Sequence, residues 1–165
     1  MNTIDQFQIE IQNSQTQLAI DQSQLETAIS FLLQSEQVTR AEISLAIVDN
    51  STIRQLNQQY LAHDYDTDVL SFLLDCDTAL DSAKTEFRGA GKQIEGEVIV
   101  SAEMAVAMSA EYNWSAEQEL LLYVIHGLLH LCGYDDLTEE ELRIMRQREQ
   151  QIFDHWQITI PRREE

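Results

Sequence analysis

Residues 115–136, SAEQELLLYVIHGLLHLCGYDD, contain the strongest structural signal in this sequence. Ser115 is a favourable helix N-cap, and Gly133 supplies the left-handed conformation with which helices commonly end. Between them, positions 120–132 are apolar nearly all the way round a helix, and a helix of that kind belongs inside a domain. The sequence therefore predicts a central buried helix that begins after Ser115 and ends at Gly133.

Two histidines interrupt this apolar helix. His126 and His130 are four residues apart, so they lie on one face about one turn from each other. The reversal that begins at Gly133 can fold a carboxylate back toward both rings. Zinc in catalytic sites usually takes three such ligands and leaves a fourth position open. His126, His130 and Asp136 meet that requirement, although spacing alone does not decide between Asp136 and Asp135.

The histidine pair also has interpretations other than a metal site. An isolated His-x-x-x-His pair also occurs as two hydrogen-bonded structural histidines, but the buried helix, the glycine break and the acidic pair favour a metal. The zinc-protease signature His-Glu-x-x-His is absent because position 127 is glycine, which disfavours a peptidase. Cys132 lies two residues after His130, a step of about 200° around the helix, so the two side chains do not share a face. We therefore expect Cys132 to be a small buried hydrophobic residue in preference to a metal ligand.

Periodicity elsewhere predicts a fold of mixed class. Alternating apolar residues predict strands at 7–11 and 43–47, and short apolar runs predict two more at 69–74 and 98–100. Helical spacing predicts helices over about 21–36, after the strand break at 49–51, and around 104–108. Thr138 and Glu141 form a capping box for a final helix. We expect an α/β (α+β) fold in which helices pack on four strands, with residues 1–165 as a single domain.

The composition excludes several classes of protein. Hydrophobic residues make up 44% of the 165 positions and charged residues 24%, with five glycines and one proline, as in an ordinary globular domain. The longest apolar stretch is too short to cross a bilayer, so no membrane association is expected. The first residues lack the basic start and apolar core of a signal peptide, so none is expected, and two cysteines, Cys76 and Cys132, cannot form a disulfide framework. A cytoplasmic location follows as the expectation.

The charge of the chain limits the substrates it can attract. Ten basic and 29 acidic side chains give a net charge of −19, which favours solubility and repels polyanions at long range. A divalent cation and a local basic cluster can still hold one phosphate. Lys84, Arg88 and Lys92 lie in one polar stretch between two predicted strands, and they are our candidate substrate-binding residues. The alternative is a solvated loop with scattered charges.

Positions 126–136, HGLLHLCGYDD, closely resemble the signature of the YbeY family of rRNA-maturation endoribonucleases, His-Gly-x-Leu-His-Leu-x-Gly-Tyr-Asp-His. Positions 56–60 and 67–72, LNQQY and TDVLSF, resemble a second family block, and 96–100, GEVIV, a third. The resemblance covers about residues 43–149. It implies a mixed sheet, one Zn²⁺ ion at the end of a cleft, and cleavage of single-stranded RNA. The implied role is rRNA maturation and quality control of the ribosomal small subunit.

Two positions depart from the family pattern. The third ligand is usually histidine, whereas this chain has Asp136, which lowers the net charge of the site by one and makes the metal a weaker Lewis acid. The family usually has arginine directly after the position of Tyr60, where it could hold the scissile phosphate, and here that residue is Leu61. Lys84, Arg88 and Lys92 are the candidates to replace that arginine.

These observations support one main hypothesis and two alternatives. The first is a metal-dependent endoribonuclease, a hydrolase of phosphodiester bonds, in which zinc polarises a phosphate oxygen or activates water. No general base stands out; Asp68 and Ser71 are candidates for lining the cleft, though Asp68 can equally cap a strand and Ser71 face a neighbouring backbone. The alternatives are a metal-stabilised ribosome-assembly factor without strong catalysis, and a hydrolase of a small phosphorylated or acylated substrate.

The histidine ligands predict that metal binding depends on pH. Free imidazole becomes protonated when the pH drops below about 6.5, so protons should then compete with the metal and metal occupancy should decrease.

Overall fold

The computed structural model describes residues 6–61, 67–78 and 86–163. These residues form an α+β fold with a four-stranded mixed sheet, as the sequence predicts. Within the described ranges, no helix combines the length and the apolarity needed to cross a membrane. The elements follow one another in the order β1 (Phe7–Asn13), α1 (Gln22–Ser35), β2 (Arg40–Val48), α2 (Asn50–Leu61), β3 (Val69–Thr78), β4 (Lys92–Ser101), α3 (Ala102–Tyr112), α4 (Ala116–Cys132) and α5 (Glu139–Asp154).

The sheet has the strand order β1-β2-β4-β3. β1, β2 and β4 run parallel, and β3 lies antiparallel to β4 at one edge. Parallel neighbours require a crossover between them, and α1 provides the one that joins β1 to β2. The register of β3 shifts between Leu73 and Asp75, so a bulge interrupts the edge strand.

Helix α4 forms the centre of the main hydrophobic core, as predicted. Its residues Ile125, Leu128 and Leu129 are at most 1% exposed. Gly127 faces the sheet, where an added Cβ would lie 2.7 Å from Val98 Cγ1 and 3.1 Å from Val69 Cγ2. The missing side chain therefore lets the backbone of α4 lie directly against β3 and β4, next to His126.

The opposite face of the sheet is mostly open to solvent. Helix α2 covers only one end of it, over a small core of Val48, Ile53, Leu70 and Ile99. The remainder carries exposed carboxylates, and the strand register places Glu42, Glu95 and Asp75 side by side on three neighbouring strands. We call this surface the acidic sheet face; its exposed acidic residues are Glu10, Glu42, Asp75, Asp77, Glu95 and Glu97.

The structure extends the predicted strands and also changes one predicted helix cap. β4 begins at Lys92 instead of Val98, because its first half alternates buried residues with the polar side chains of the acidic sheet face. The reciprocal capping box lies at the start of α4, between Ser115 and Gln118. At α5 the Thr138 hydroxyl caps as predicted, but the Glu141 carboxylate pairs with a distant cation described below.

Candidate metal centre

Helix α4 places the two histidine rings against each other. The Nε2 atoms of His126 and His130 are 3.1 Å apart, and the rings meet edge to face with centroids 4.7 Å apart. Their side chains are 15% and 27% exposed. Both rings therefore point one nitrogen each toward the same partly open position at the surface.

The turn after α4 brings a carboxylate to that position. Gly133 has a φ of 115°, which ends the helix and reverses the chain. Asp136 Oδ2 then lies 3.4 Å from His126 Nε2 and 3.5 Å from His130 Nε2. Asp135 Oδ1 instead accepts the backbone N–H of Asp136 at 2.7 Å and that of Leu137 at 3.2 Å. Of the two candidate aspartates, the structure brings Asp136 to the histidines.

The three donor atoms have the spacing of a tetrahedral metal site. Zinc binds imidazole nitrogen and carboxylate oxygen at 2.0–2.2 Å, so neighbouring ligand atoms in a tetrahedron are about 3.3 Å apart. The observed separations of 3.1, 3.4 and 3.5 Å surround that value. His126, His130 and Asp136 are a group that could hold a metal ion. Two nitrogens and one oxygen suit zinc, and three ligands leave a fourth position for water or substrate.

The other ring nitrogens fix the tautomers of the two histidines. His126 Nδ1 lies 2.7 Å from Glu149 Oε2, and His130 Nδ1 lies 3.1 Å from the carbonyl oxygen of Tyr134. A carbonyl oxygen and an ionised carboxylate only accept hydrogen bonds, so each neutral ring carries its hydrogen on Nδ1. The lone pairs of both Nε2 atoms then converge on the Asp136 carboxylate. Three lone pairs that converge in this way need a cation among them.

In the metal-free protein a proton meets that need. Burial alone would lower the pKa of His126, but hydrogen bonds to Asp136 and Glu149 outweigh it and raise this pKa to about 9. Burial and the charge of His126 lower the pKa of His130. The hydrogen bond from His126 lowers the pKa of Asp136 to about 2. At neutral pH the site therefore holds one proton where a metal would sit.

The two candidate cleft residues lie on or beside β3. Asp68 directly precedes the strand; burial raises the pKa of its carboxyl, and the positive charge of His126 opposes that shift. Its backbone carbonyl accepts the N–H of Ser101 at 3.0 Å. Ser71 is half-buried and pairs with Val98 of β4, so it lies on the face of the sheet that α4 covers. Both residues are therefore on the same side of the sheet as the histidines.

Two of the three basic candidates, Arg88 and Lys92, have structural partners. Lys84 lies outside the described residues. Arg88 forms an ion pair with Glu141 at 2.8 Å and donates to the carbonyl of Gly133 at 3.2 Å. Lys92 donates to the carbonyl of Cys132 at 2.8 Å. Both cations thus stabilise the carbonyl end of α4 and the turn that carries Asp136.

Two fully buried carboxylates near the site were missed by the sequence reasoning. Glu36, at the end of α1, accepts hydrogen bonds from the backbone of Gly89 at 2.9 Å, the hydroxyl of Tyr134 at 2.9 Å and Arg148 Nε at 2.5 Å. Glu149 bonds to His126. The sequence pattern indicates only Glu149, because this residue lies among the apolar positions of α5 that face the core. The partners of Glu36 are too far away in sequence for such a signal.

Comparisons of the sequence with family models and with known proteins identify the same family. A family model described as Endoribonuclease YbeY matches residues 9–157. Endoribonuclease YbeY of Salinibacter ruber is 39% identical over 145 residues, which is 88% of this chain and 89% of the relative. Endoribonuclease YbeY of Thermoanaerobacter sp. (strain X514) is 40% identical over 132 residues, 78% of this chain and 83% of the relative.

A solved structure shares the fold. The solution structure of a protein from Thermotoga maritima matches with a TM-score of 0.56 and 24% sequence identity, over 90% of this chain and 91% of that chain. The match to the family model includes β2 through α5 and all three residues of the candidate metal centre. The alignments to the two relatives cover most of the length of each relative. The chain therefore belongs to the YbeY endoribonuclease family.

Proposed function

We propose that this chain is a zinc-dependent endoribonuclease in which His126, His130 and Asp136 hold one Zn²⁺ ion. The observation that carries the proposal is the convergence of three lone-pair donors at tetrahedral spacing, with separations of 3.1–3.5 Å. The names of its relatives supply the reaction, cleavage within an RNA chain. Residues 1–165 act as one domain in this proposal.

The chain's own residues prepare the site for hydrolysis of a phosphodiester. When bound, zinc supplies Lewis-acid stabilisation of a phosphate oxygen or a water of lowered pKa. Glu149 and the carbonyl of Tyr134 hold the two rings with Nε2 toward the metal position. Burial raises the pKa of Asp68, so its carboxylate is a stronger proton acceptor than that of an exposed aspartate. Ser71 lies on the same side of the sheet.

The distribution of charge supports approach of RNA from the helical side of the molecule. The acidic sheet face repels a polyanion, and the metal centre lies across the sheet from it, on the side covered by α4. A single strand is the expected substrate, because an extended chain can reach a metal held by partly buried side chains more readily than a duplex can. By family resemblance, we propose rRNA and the small ribosomal subunit as partners, in the cytoplasm.

One observation favours the second candidate, a metal-stabilised ribosome-assembly factor without strong catalysis. The family arginine is replaced by Leu61, and Arg88 and Lys92 are engaged with the end of α4. In that case the zinc would stabilise the turn after α4, and the surface of the protein would do the binding.

A cleavage assay separates the two candidates. Purified protein is incubated with a labelled single-stranded RNA and with the same RNA annealed to its complement, before and after dialysis against a chelator. We expect cleavage of the single strand only, loss of cleavage after dialysis, and recovery with one equivalent of zinc. His130→Ala should stay inactive after zinc is returned. A folded, zinc-loaded protein that binds small subunits but leaves RNA intact would support the assembly factor instead.

Zinc binding should release one proton at neutral pH. The pKa of about 9 for His126 means that the metal must displace a proton below that pH, so apparent affinity should rise about tenfold per unit from pH 7 to pH 9. This moves the competition well above the pH of 6.5 expected for a free imidazole. Calorimetric titrations in buffers of different ionisation enthalpy measure the proton directly. Affinity that does not change between pH 7 and pH 9 would contradict the proposed proton.

Leu61→Arg should increase RNA cleavage. Leu61 is the last residue of α2 and is 45% exposed, so an arginine can be accommodated there. A hydrogen bond from a charged donor to phosphate contributes about 1.5 kcal/mol or more, which corresponds to a gain of roughly tenfold. The gain should shrink with salt, and Leu61→Gln should show none. An unchanged rate in a folded, zinc-loaded Leu61→Arg protein would mean that this position does not face the substrate.

A further inference from the structure

Helix α5 carries a carboxylate in its buried stripe. Glu149 is 0% exposed, and the neighbouring positions of the stripe, Met145, Ile152 and Phe153, are at most 1% exposed. An isolated charge at such a position is strongly unfavourable unless it is paired and hydrogen-bonded. Its presence beside these apolar residues therefore calls for a specific set of partners.

Both oxygens of Glu149 have a charged or polar partner. Oε2 accepts from His126 Nδ1 at 2.7 Å, and Oε1 accepts from Arg146 Nη1 at 2.8 Å. Arg146 is on the same helix one turn earlier, and its side chain is 34% exposed. The arginine balances the buried charge from the solvent side, which leaves the second oxygen of the carboxylate directed at the imidazole.

The two metal-centre histidines differ in this respect. His130 Nδ1 meets a neutral backbone carbonyl, that of Tyr134, at 3.1 Å. His126 meets a carboxylate at a shorter distance. A carboxylate withdraws the Nδ1 hydrogen more strongly than a carbonyl does, which makes the opposite nitrogen a better donor to a metal. The donor strength of His126 toward a metal therefore depends on Glu149 of α5, whereas that of His130 depends on the turn after α4.

We propose that Glu149 is a positioning residue of the metal centre: anchored by Arg146, it holds His126 in the Nδ1–H tautomer, fixes the ring plane and strengthens Nε2 as a zinc ligand. The inference rests on the proposed zinc site. Loss of a carboxylate that bonds to a ligating histidine typically costs 10–100-fold in metal affinity. Glu149 thus supplies a part of the site that lies on α5, outside the HGLLHLCGYDD segment.

Glu149→Gln tests this role, because glutamine keeps the shape of the side chain and removes its charge. The variant should bind zinc roughly 10–100-fold more weakly than the parent in competition with a chromophoric chelator. Glu140→Gln is the matched control: Glu140 forms the same i,i+3 pair on α5, with Arg143 at 2.9 Å, but is exposed and lies outside the site. Glu119→Gln controls for loss of a buried carboxylate, since Glu119 is 0% exposed and bonds to Trp114 and Arg163. Both controls should bind zinc within about twofold of the parent.

A second readout separates positioning from general stability. In the zinc-loaded protein, NMR should show the Nδ1 hydrogen of His126 far downfield, and Glu149→Gln should move it upfield while the corresponding signal of His130 stays in place. If Glu149→Gln does not fold, Glu149→Asp serves, because it keeps the buried charge and withdraws it from His126 by one methylene. Its zinc affinity should fall between those of the parent and of a site without the carboxylate.

The possible failures can be told apart. If the parent protein binds no stoichiometric zinc, the proposed function itself fails. If the parent binds zinc and the Glu149 variants match it within twofold, with the His126 signal unmoved, only the positioning role is overturned. A lower melting temperature with unchanged zinc affinity would likewise overturn it, because it would assign Glu149 to stability alone.

Discussion

Asp136→Ala is expected to remove most of the zinc affinity, by more than about 100-fold. In the proposed site Asp136 supplies one of three donor atoms, because its Oδ2 lies 3.4 and 3.5 Å from the two histidine nitrogens. Without it, two imidazoles would leave half of the tetrahedral shell to water. The loss should exceed that of any residue that only bonds to a ligand. Metal analysis after dialysis at fixed free zinc, together with chelator competition, measures the change.

Two neighbouring variants control this experiment. Asp135→Ala should cost less than tenfold, because the Asp135 side chain bonds to the backbone of its own turn. Asp136→His should retain zinc and restore the residue usual in the family at this position; a neutral ligand should also make the metal a stronger Lewis acid. Retention of zinc by Asp136→Ala at the level of the parent would exclude the proposed triad.

Glu36→Ala should lower the free energy of unfolding by about 3–5 kcal/mol, a large part of the 5–15 kcal/mol typical of a domain. Glu36 is 0% exposed and joins three separate parts of the chain through Gly89, Tyr134 and Arg148. Its loss leaves the charge of Arg148, which is 8% exposed, without its carboxylate partner. Urea denaturation of the zinc-loaded protein measures the effect.

The control for this change is an exposed glutamate. Glu42→Ala, on the acidic sheet face, should alter stability by no more than about 0.5 kcal/mol. It should even be slightly stabilising, because its neighbour across the strand is Glu95. A Glu36→Ala protein within 1 kcal/mol of the parent would mean that water replaces the carboxylate and that the three segments do not depend on it.

The sequence was sufficient to predict the cluster of two histidines and one aspartate because its members are local. His126, His130 and Asp136 fall within eleven positions, and helical spacing plus one left-handed glycine bring them together. The same holds for α4, whose cap, apolar surface and end signal all lie within the helix or next to it. Such features depend on backbone geometry that neighbouring residues determine.

The supporting contacts could not be predicted in this way. Glu36 meets Tyr134 across 98 residues and Arg148 across 112, and nothing in the local pattern of α1 indicates either partner. The capping box expected at Thr138 fails for the same reason, since Arg88, 53 residues away, binds the Glu141 carboxylate. Where a local and a distant partner compete for one side chain, the sequence shows only the local one.

The acidic sheet face has a consequence for how the protein meets RNA. Most RNA-binding proteins associate faster at low salt, because basic surfaces attract phosphates. A chain of net charge −19 has the opposite balance, and its repulsion extends about 10 Å at 0.1 M salt and about 30 Å at 0.01 M. RNA that approaches the acidic sheet face is repelled before contact. Productive encounters are therefore those in which RNA approaches the side of the protein that carries the metal centre. Added salt should therefore speed association up to the point at which phosphate contacts at the site begin to weaken.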